Sequence, residues 1–225
     1  MPNLKKMAAE RAVQEVRSGM VVGLGSGSTA RYAVERIGEM LRAGQLIDIV
    51  GIPTSKETEC LAIQQGIPLT TLQQHPLIDL TIDGADEIDH HLRVIKGGGA
   101  ALLHEKIVAS ATRCQIIIVD QSKVVSVLGR FPLPVEVVRF GWPMYVPALE
   151  RLGCRAVLRL RDGQPVLTDE GNYVVDCHFG QIHDAARLEQ QINMIPGVVD
   201  NGLFIGLVHR AFVATDLDVY ELKST

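Results

Sequence analysis

The sequence predicts an α/β protein, a parallel sheet covered by helices and joined to a smaller α+β lobe. Three observations carry this. Strand-like apolar runs alternate with helix-like stretches across the first two-thirds of the chain. The run QIIIV at 115–119 is continuously apolar, as in a strand buried on both faces. Beyond about residue 130 the alternation gives way to prolines, a hairpin pattern and short strands.

The elements follow in order. Asn3 is placed to cap a helix running to about Arg17, with Gly19 to close it. The apolar run 20–22 is the first strand, and a glycine-rich turn follows. A helix over 28–42 stops at Gly44, and residues 47–50 form the next strand. Thr54 and Glu57 have capping-box spacing ahead of a helix ending near Gly66. Residues 80–82 form a strand that enters an acidic loop. A helix over 100–111 follows three glycines. Residues 131–134, FPLP, read as a proline-stiffened connector. A short helix spans 144–152, and a hairpin joins 155–161 to 165–168 through Asp162-Gly163. A strand at 173–177 and a helix at 184–192 complete the lobe. From about Asn201 short strands are expected to rejoin the main sheet.

Composition excludes several function classes. The 225 residues are 47% hydrophobic and 21% charged, the balance of a globular protein with ample length for a core. A formal net charge of −4 without a dominant basic patch argues against nucleic acid. No apolar run approaches bilayer length, and the charge-interrupted N-terminus has no export pattern, so no membrane partner is expected. Cys60, Cys114, Cys154 and Cys177 form no C-x-x-C pair and read as free thiols of a reducing cytoplasm. The histidines show no metal-ligand spacing, and no metal is expected.

Three segments carry chemistry, each at a predicted strand-to-helix junction. Gly23-Leu24-Gly25-Ser26-Gly27-Ser28-Thr29 ends a strand and opens a helix. Backbone N–H groups at a helix start favour an anion, and glycines allow close approach. The plain alternative is a capped turn with no ligand. A dinucleotide fingerprint would need glycine at Ser28 and an acidic residue near 50–52. A P-loop would need lysine at Gly27. A small phosphate suits the turn better than a nucleotide.

The second segment, Asp83-Gly84-Ala85-Asp86-Glu87-Ile88-Asp89, follows a strand with four carboxylates in seven residues. Carboxylates there can hold sugar hydroxyls, move protons or bind a cation, although the EF-hand spacing is not met. A solvated acidic turn is the plain alternative. The third segment, Lys96-Gly97-Gly98-Gly99, precedes a helix carrying Glu105 and Lys106. Consecutive glycines suit backbone that passes close to a ligand, with Lys96 supplying a cation. Glu105, about one and a half turns into the helix, can face back toward the loop. Alone, it would read as a surface residue paired with a lysine.

Together the segments resemble the A-type ribose-5-phosphate isomerase family. The matching stretches are GLGSGSTA at 23–30, GIPTS at 51–55, DGADEID at 83–89, KGGGAALLHEKIVA at 96–109, SKVVSVLGRFPLPVEV at 122–137 and IPGVVDNGLF at 195–204. They span nearly the whole chain in the family's order, and the DGADE and KGGGAAL pair is the most specific. The resemblance implies a Rossmann-like parallel sheet with helices on both faces plus a small α+β domain. The expected division is 1–130, 131–200, and 201–225 returning to the first part. It also implies interconversion of ribose 5-phosphate and ribulose 5-phosphate without a cofactor, in a cytoplasmic homodimer or dimer of dimers, of which the homodimer is expected here.

By the same resemblance Glu105 is the catalytic base, assisted by Asp83 and Lys96. Ser26, Gly27, Ser28 and Thr29 bind substrate at its phosphate. Asp83, Gly84, Ala85, Asp86, Lys96, Gly97, Gly98 and Gly99 line the sugar, and Lys123 is a further contact. Ser26 stands where threonine is usual, which keeps the hydroxyl. His104 stands where many members carry arginine. The alternative is a sugar-phosphate sensor of the same fold that binds without turnover. Such a sensor would be expected to lack the base or to carry a DNA-binding segment. Acyl-CoA transferases and amino-sugar-phosphate enzymes fit the short chain and the KGGGAAL segment less well.

Overall fold

A computed structural model describes residues 3–223. Helix α1 (Leu4–Val13) is capped by Asn3, whose side chain accepts from the Lys6 N–H. It ends well short of Arg17, because residues 14–20 turn back on themselves. Strand β1 (Val21–Leu24) leads through the glycine turn into α2 (Gly27–Arg42), whose Ala30, Ala33, Val34 and Ile37 form one buried stripe. Strand β2 (Val50–Pro53) begins three residues later than expected. Asp48 takes a positive φ of 57°, which breaks the extended run, and Ile47 is left exposed. Helix α3 (Lys56–Gln64) is capped by Ser55, which accepts from the Thr58 N–H. Thr54 does not cap it; Thr54 is buried and donates its hydroxyl to the Leu24 carbonyl.

Strand β3 (Leu80–Gly84) enters the acidic loop, followed by the short strands β4 (Glu87–Ile88) and β5 (Val94–Ile95). Helix α4 (Leu102–Ser110) precedes the buried β6 (Gln115–Asp120). Residues 133–137 correct the connector expected there: β7 (Leu133–Val137) is a fully buried inner strand. Pro134 lacks an N–H for the ladder, but its carbonyl accepts from Gly202, so the register survives the proline. After α5 (Tyr145–Glu150) the hairpin is shorter than its apolar pattern suggests. β8 (Arg155–Leu158) pairs away from it, and only β9 (Leu160–Arg161) and β10 (Gln164–Pro165) face each other across Asp162-Gly163. Strand β11 (Tyr173–His178), α6 (Ala185–Asn193), β12 (Val198–Asn201), β13 (Leu203–Phe204), β14 (Arg210–Ala214) and β15 (Val219–Leu222) complete the chain.

The main sheet has the order β15-β14-β6-β3-β1-β2 and is parallel except for β15. Residues alternate across it. Val22, Leu24, Ile82, Ile116, Ile118 and Phe212 pack on α1, α2 and α3. Ile117, Val119, Ala211 and Val213 face α4 and the sheet β13-β5-β4. A second core lies between the four-stranded antiparallel sheet β12-β7-β11-β8 and helices α5 and α6. The parallel arrangement points the ends of β1, β3 and β6 toward one edge, where ligands bind in such sheets. No helix among the described residues is long and apolar enough to cross a membrane.

The acidic loop divides its work. Asp89 is buried and accepts from the His91 and Arg93 N–H groups while pairing with the Arg93 guanidinium. Buried Glu87 accepts from the N–H groups of Gly129 (2.7 Å) and Phe131 (2.6 Å), tying the loop to the segment before β7. Glu87→Ala strands both donors, so a loss of roughly 3 kcal/mol is expected. In a chain of this size that lowers Tm by about 6–12 °C. Differential scanning calorimetry checks this, and an unchanged Tm would make the two bonds irrelevant to stability.

Candidate active site

Residues from the ends of three strands and the start of α4 converge on one cavity of about 130 Å³. Its lining includes Ser26, Gly27, Ser28, Thr29, Gly84, Ala85, Asp86, Lys96, Gly97, Gly98, Gly99, Glu105 and Lys123, with Asp83 in the layer beneath. The structure thus brings together every residue that the sequence selects.

At the floor, the Lys96 ammonium lies 3.0 Å from Asp83 Oδ2 and 3.0 Å from Glu105 Oε1, and donates to the Gly84 carbonyl. All three side chains are buried: Lys96 is 2% exposed, Asp83 0% and Glu105 6%. Asp83 Oδ1 accepts from the N–H groups of Ser26 (3.1 Å) and Gly84 (2.7 Å). Asp83 Oδ2 pairs with Lys96 by charge but has no hydrogen bond, and Glu105 Oε2 has no protein partner. Of the two, Glu105 belongs to the cavity lining, while Asp83 Oδ2 lies beneath it against the Lys96 ammonium.

Two carboxylates share one ammonium, so the second ionises with difficulty. Burial pushes Glu105 up to about 7, with Lys96 opposing the rise and Asp83 adding to it. Burial also raises Asp83, against the pull of Lys96 and two backbone donors. Burial works to discharge Lys96, but the two carboxylates outweigh it and hold the ammonium above its ordinary range. The cluster therefore contains a fixed cation and one carboxyl that gains or loses its proton near neutrality. Carboxylates, not water, keep the charge in place.

Glycine is dictated where these groups crowd the backbone. A Cβ on Gly25 would meet Asp83 Oδ1 at 2.3 Å and Asp83 Cα at 2.5 Å. A Cβ on Gly98 would meet Asp86 Oδ1 at 2.6 Å, because the Gly98 N–H donates to Asp86 Oδ2 at 2.7 Å. The sequence implies close approach to a ligand; here the site's own carboxylates already require it.

The opposite end of the cavity is the N-terminus of α2. Its N-cap, Ser26, makes no side-chain capping bond. The Ser26 hydroxyl instead joins Thr54, Ser55 and Thr58 in a cluster with contacts of 2.7 to 3.1 Å. This turns Ser26 into a brace for the turn and leaves the helix start open to an anion. Lys5 lines this end and donates to Ser28 Oγ at 2.8 Å. Lys123 stands across from it in a turn capped by Asp120. Sequence reasoning missed Lys5, since nothing in the pattern of α1 places its first turn beside the end of β1.

A larger cavity of about 530 Å³ opens behind α4, lined by Ile52, Leu69, Leu72, Ile107 and Val108. Its charged residues Lys56 and Glu59 are exposed, so it lacks the buried charge that marks the first. Among the described residues no group of three or more His, Cys, Asp and Glu is placed to hold a metal ion. His104 lines this larger cavity rather than the smaller one and contacts Glu170 at 2.7 Å.

Known proteins match this arrangement. The family profile of ribose 5-phosphate isomerase A (phosphoriboisomerase A) matches residues 50–217. A ribose-5-phosphate isomerase A from Rhodopseudomonas palustris (strain TIE-1) is 50% identical over 218 residues, 94% of this chain and 93% of that protein. One from Bacillus mycoides (strain KBAB4) is 46% identical over 222 residues, 98% of this chain and 100% of that protein. A solved D-ribose-5-phosphate isomerase in complex with phospho-erythronic acid superimposes with a TM-score of 0.95 at 40% identity, covering 98% of this chain and 97% of that one. The chain belongs to the ribose 5-phosphate isomerase A family.

Proposed function

We propose that this chain interconverts ribose 5-phosphate and ribulose 5-phosphate through an enediolate, in the non-oxidative branch of the pentose phosphate pathway. One observation carries the reading. A buried carboxyl that titrates near 7 sits 3.0 Å from a fixed ammonium, in a cavity whose other end is an open helix N-terminus. The relative solved with phospho-erythronic acid holds an acid and a phosphate in one small molecule, the two functions that the two ends of this cavity suit.

Asp83 carries the proton for ring opening. Ionised Glu105 then removes the proton from C2 of the open aldose, and the carbonyl oxygen gains negative charge as the enediolate forms. Lys96 and the glycine-loop N–H groups stabilise that oxyanion. Glu105 returns the proton to C1 while the O2 hydroxyl proton passes to O1, so that C2 becomes the carbonyl and the ketose is formed. Asp86, Gly84, Ala85 and the glycines 97–99 orient the sugar hydroxyls. Ser28, Thr29, Gly27, Lys5 and Lys123 hold the phosphate, with Ser26 supporting their turn. No step uses a cofactor.

We also propose the division 1–130 catalytic domain, 131–200 small α+β domain, and 201–225 returning strands. The separate four-stranded sheet and the pairing of β14 with β6 support it; residues 1–2 and 224–225 lie outside the described residues. Family membership supports a cytoplasmic homodimer, which sedimentation equilibrium tests.

Glu105→Gln keeps shape and removes the base. The expected kcat loss is roughly 10²–10⁴-fold with substrate affinity retained. In the unsubstituted protein kcat/KM should fall as pH drops below about 7, where Glu105 becomes protonated, and level off above it. Steady-state assay of ribose 5-phosphate across pH 5–9 checks both. Near-normal turnover by the variant would move the base to Asp83.

Replacing Ser28 and Thr29 together by alanine should weaken phosphorylated substrate while any slow turnover of free ribose changes little. Equal loss on both substrates would refute the phosphate assignment.

Because Lys96 already supplies the positive charge, full activity is expected after exhaustive chelation. In heavy water, deuterium should appear at the carbon that receives the proton, since a proton held by Glu105 can exchange before return. Zero incorporation, together with activity lost on chelation and restored by metal, would establish a hydride shift and eliminate Glu105 as base.

A further inference from the structure

Arg159 lies between β8 and β9, far in sequence from every segment that forms the cavity, and its side chain is 14% exposed. Its guanidinium is fully committed. Nε donates to Asp176 Oδ2 at 2.9 Å, and Nη2 pairs with Asp176 Oδ1. Nη1 donates to two successive backbone carbonyls, Gly97 at 2.8 Å and Gly98 at 3.1 Å. The Asp176 fork fixes the plane of the guanidinium, so its remaining edge has one direction in which to point.

Gripping those two carbonyls orients two peptide groups. In a trans peptide the N–H points away from the carbonyl of the same unit. Holding the Gly97 carbonyl therefore aims the Gly98 N–H the other way, and that N–H donates to Asp86 Oδ2 at 2.7 Å. Holding the Gly98 carbonyl aims the Gly99 N–H, which has no protein acceptor among the described residues and belongs to the cavity lining. A charged donor on a carbonyl also polarises its peptide and strengthens the N–H at the other end. Three consecutive glycines have no side chains to hold themselves in place, and Gly98 and Gly99 are exposed. Asp86 holds the segment from one side and Arg159 from the other.

We propose that Arg159, oriented by Asp176, is a positioning residue for the isomerisation: it fixes the glycine-loop N–H groups and the Asp86 carboxylate against the sugar. This rests on the function proposed above and adds to it a residue just past the end of β8, beside the four-stranded sheet, that touches no substrate.

The test compares Arg159→Ala, Arg159→Lys and Asp176→Asn with the unsubstituted protein. Arg159→Lys keeps the charge but cannot hold Asp176 through two nitrogens and span both carbonyls. Losses of roughly 10²-fold in kcat are expected for Arg159→Ala, the scale of a small misplacement of catalytic groups. Arg159→Lys and Asp176→Asn should fall between it and the unsubstituted protein. The dissociation constant for inorganic phosphate should stay within about twofold, and the acid limb near pH 7 should remain, because the Lys96 cluster is untouched. Added guanidinium chloride at millimolar concentration should restore part of the Arg159→Ala rate and none of the Arg159→Lys rate.

Hydrogen exchange at the Gly98 amide, followed by NMR without substrate, should quicken about tenfold or more in Arg159→Ala, because the carbonyl at the other end of that peptide is released. Unsubstituted protein that does not isomerise ribose 5-phosphate would overturn the functional reading, while the exchange rate still reports on the grip of Arg159. A kcat within twofold of normal with unchanged exchange in folded Arg159→Ala would overturn the proposal. So would a loss that guanidinium fails to relieve and that the phosphate constant shares equally.

Discussion

The buried ammonium of Lys96, shared between Asp83 and Glu105, is the constraint around which the rest of the site is arranged. Three ionisable groups at or below 6% exposure are costly to desolvate. They are tolerated because each carboxylate has the same cation 3.0 Å away and Asp83 has two backbone donors besides. The arrangement is short of one positive charge, which keeps a proton poised on Glu105 near neutrality. A second lysine in the cluster would leave both carboxylates permanently ionised. Replacing Lys96 with a neutral residue would leave two buried carboxylates facing each other.

That constraint sets the surrounding backbone. Gly25 and Gly98 are glycines because Asp83 and Asp86 stand where a Cβ would be. Phe204 is buried with its ring 5.7 Å from the Lys96 ammonium and 5.1 Å from that of Lys106, so an aromatic face backs both cations. The anion end is built by the opposite strategy. There the helix start has no side-chain cap and its lysines are partly exposed, so the phosphate proposed to bind at this end would meet donors that are open to solvent. One end of the cavity stores charge out of water and the other keeps charge in it.

Most of the fold was legible in the sequence because alternation of apolar runs with amphipathic stretches has few other solutions. The errors fell where local signals compete. Pro134 argues against an inner strand, yet its carbonyl accepts from the Gly202 N–H and keeps it there. Thr54 has cap spacing, but burial of its hydroxyl against Leu24 passes the cap to Ser55. The candidate site was legible as three motifs at strand ends, since a parallel sheet gathers such ends at one edge. Within DGADEID the division was not legible. Four carboxylates look alike in sequence, and only their places separate them: Glu87 and Asp89 are absent from the cavity lining and spend both oxygens on the fold, while Asp86 lines the cavity and Asp83 pairs with Lys96 at its floor. Lys5 and Arg159 were invisible for a different reason: each reaches the site from a distant segment, and no local pattern encodes that meeting.

The position of α4 explains why the chain needs its second sheet. A general base must be held within a fraction of an ångström, and a helix of nine residues has little rigidity of its own. Lys106, next to the proposed base, is anchored by Asp200 at 2.6 Å and the Asn201 carbonyl at 2.7 Å, both at the end of β12. His104, on the other side of the base, meets Glu170 in the turn before β11. Glu136 on β7 holds that turn through Thr168 and Asn172. The glycine loop that leads into α4 is held by Arg159. Each restraint comes from the segment 133–201, while the acid–base cluster hangs from the parallel sheet. The parallel sheet supplies the charges, and the antiparallel sheet fixes the helix that aims one of them.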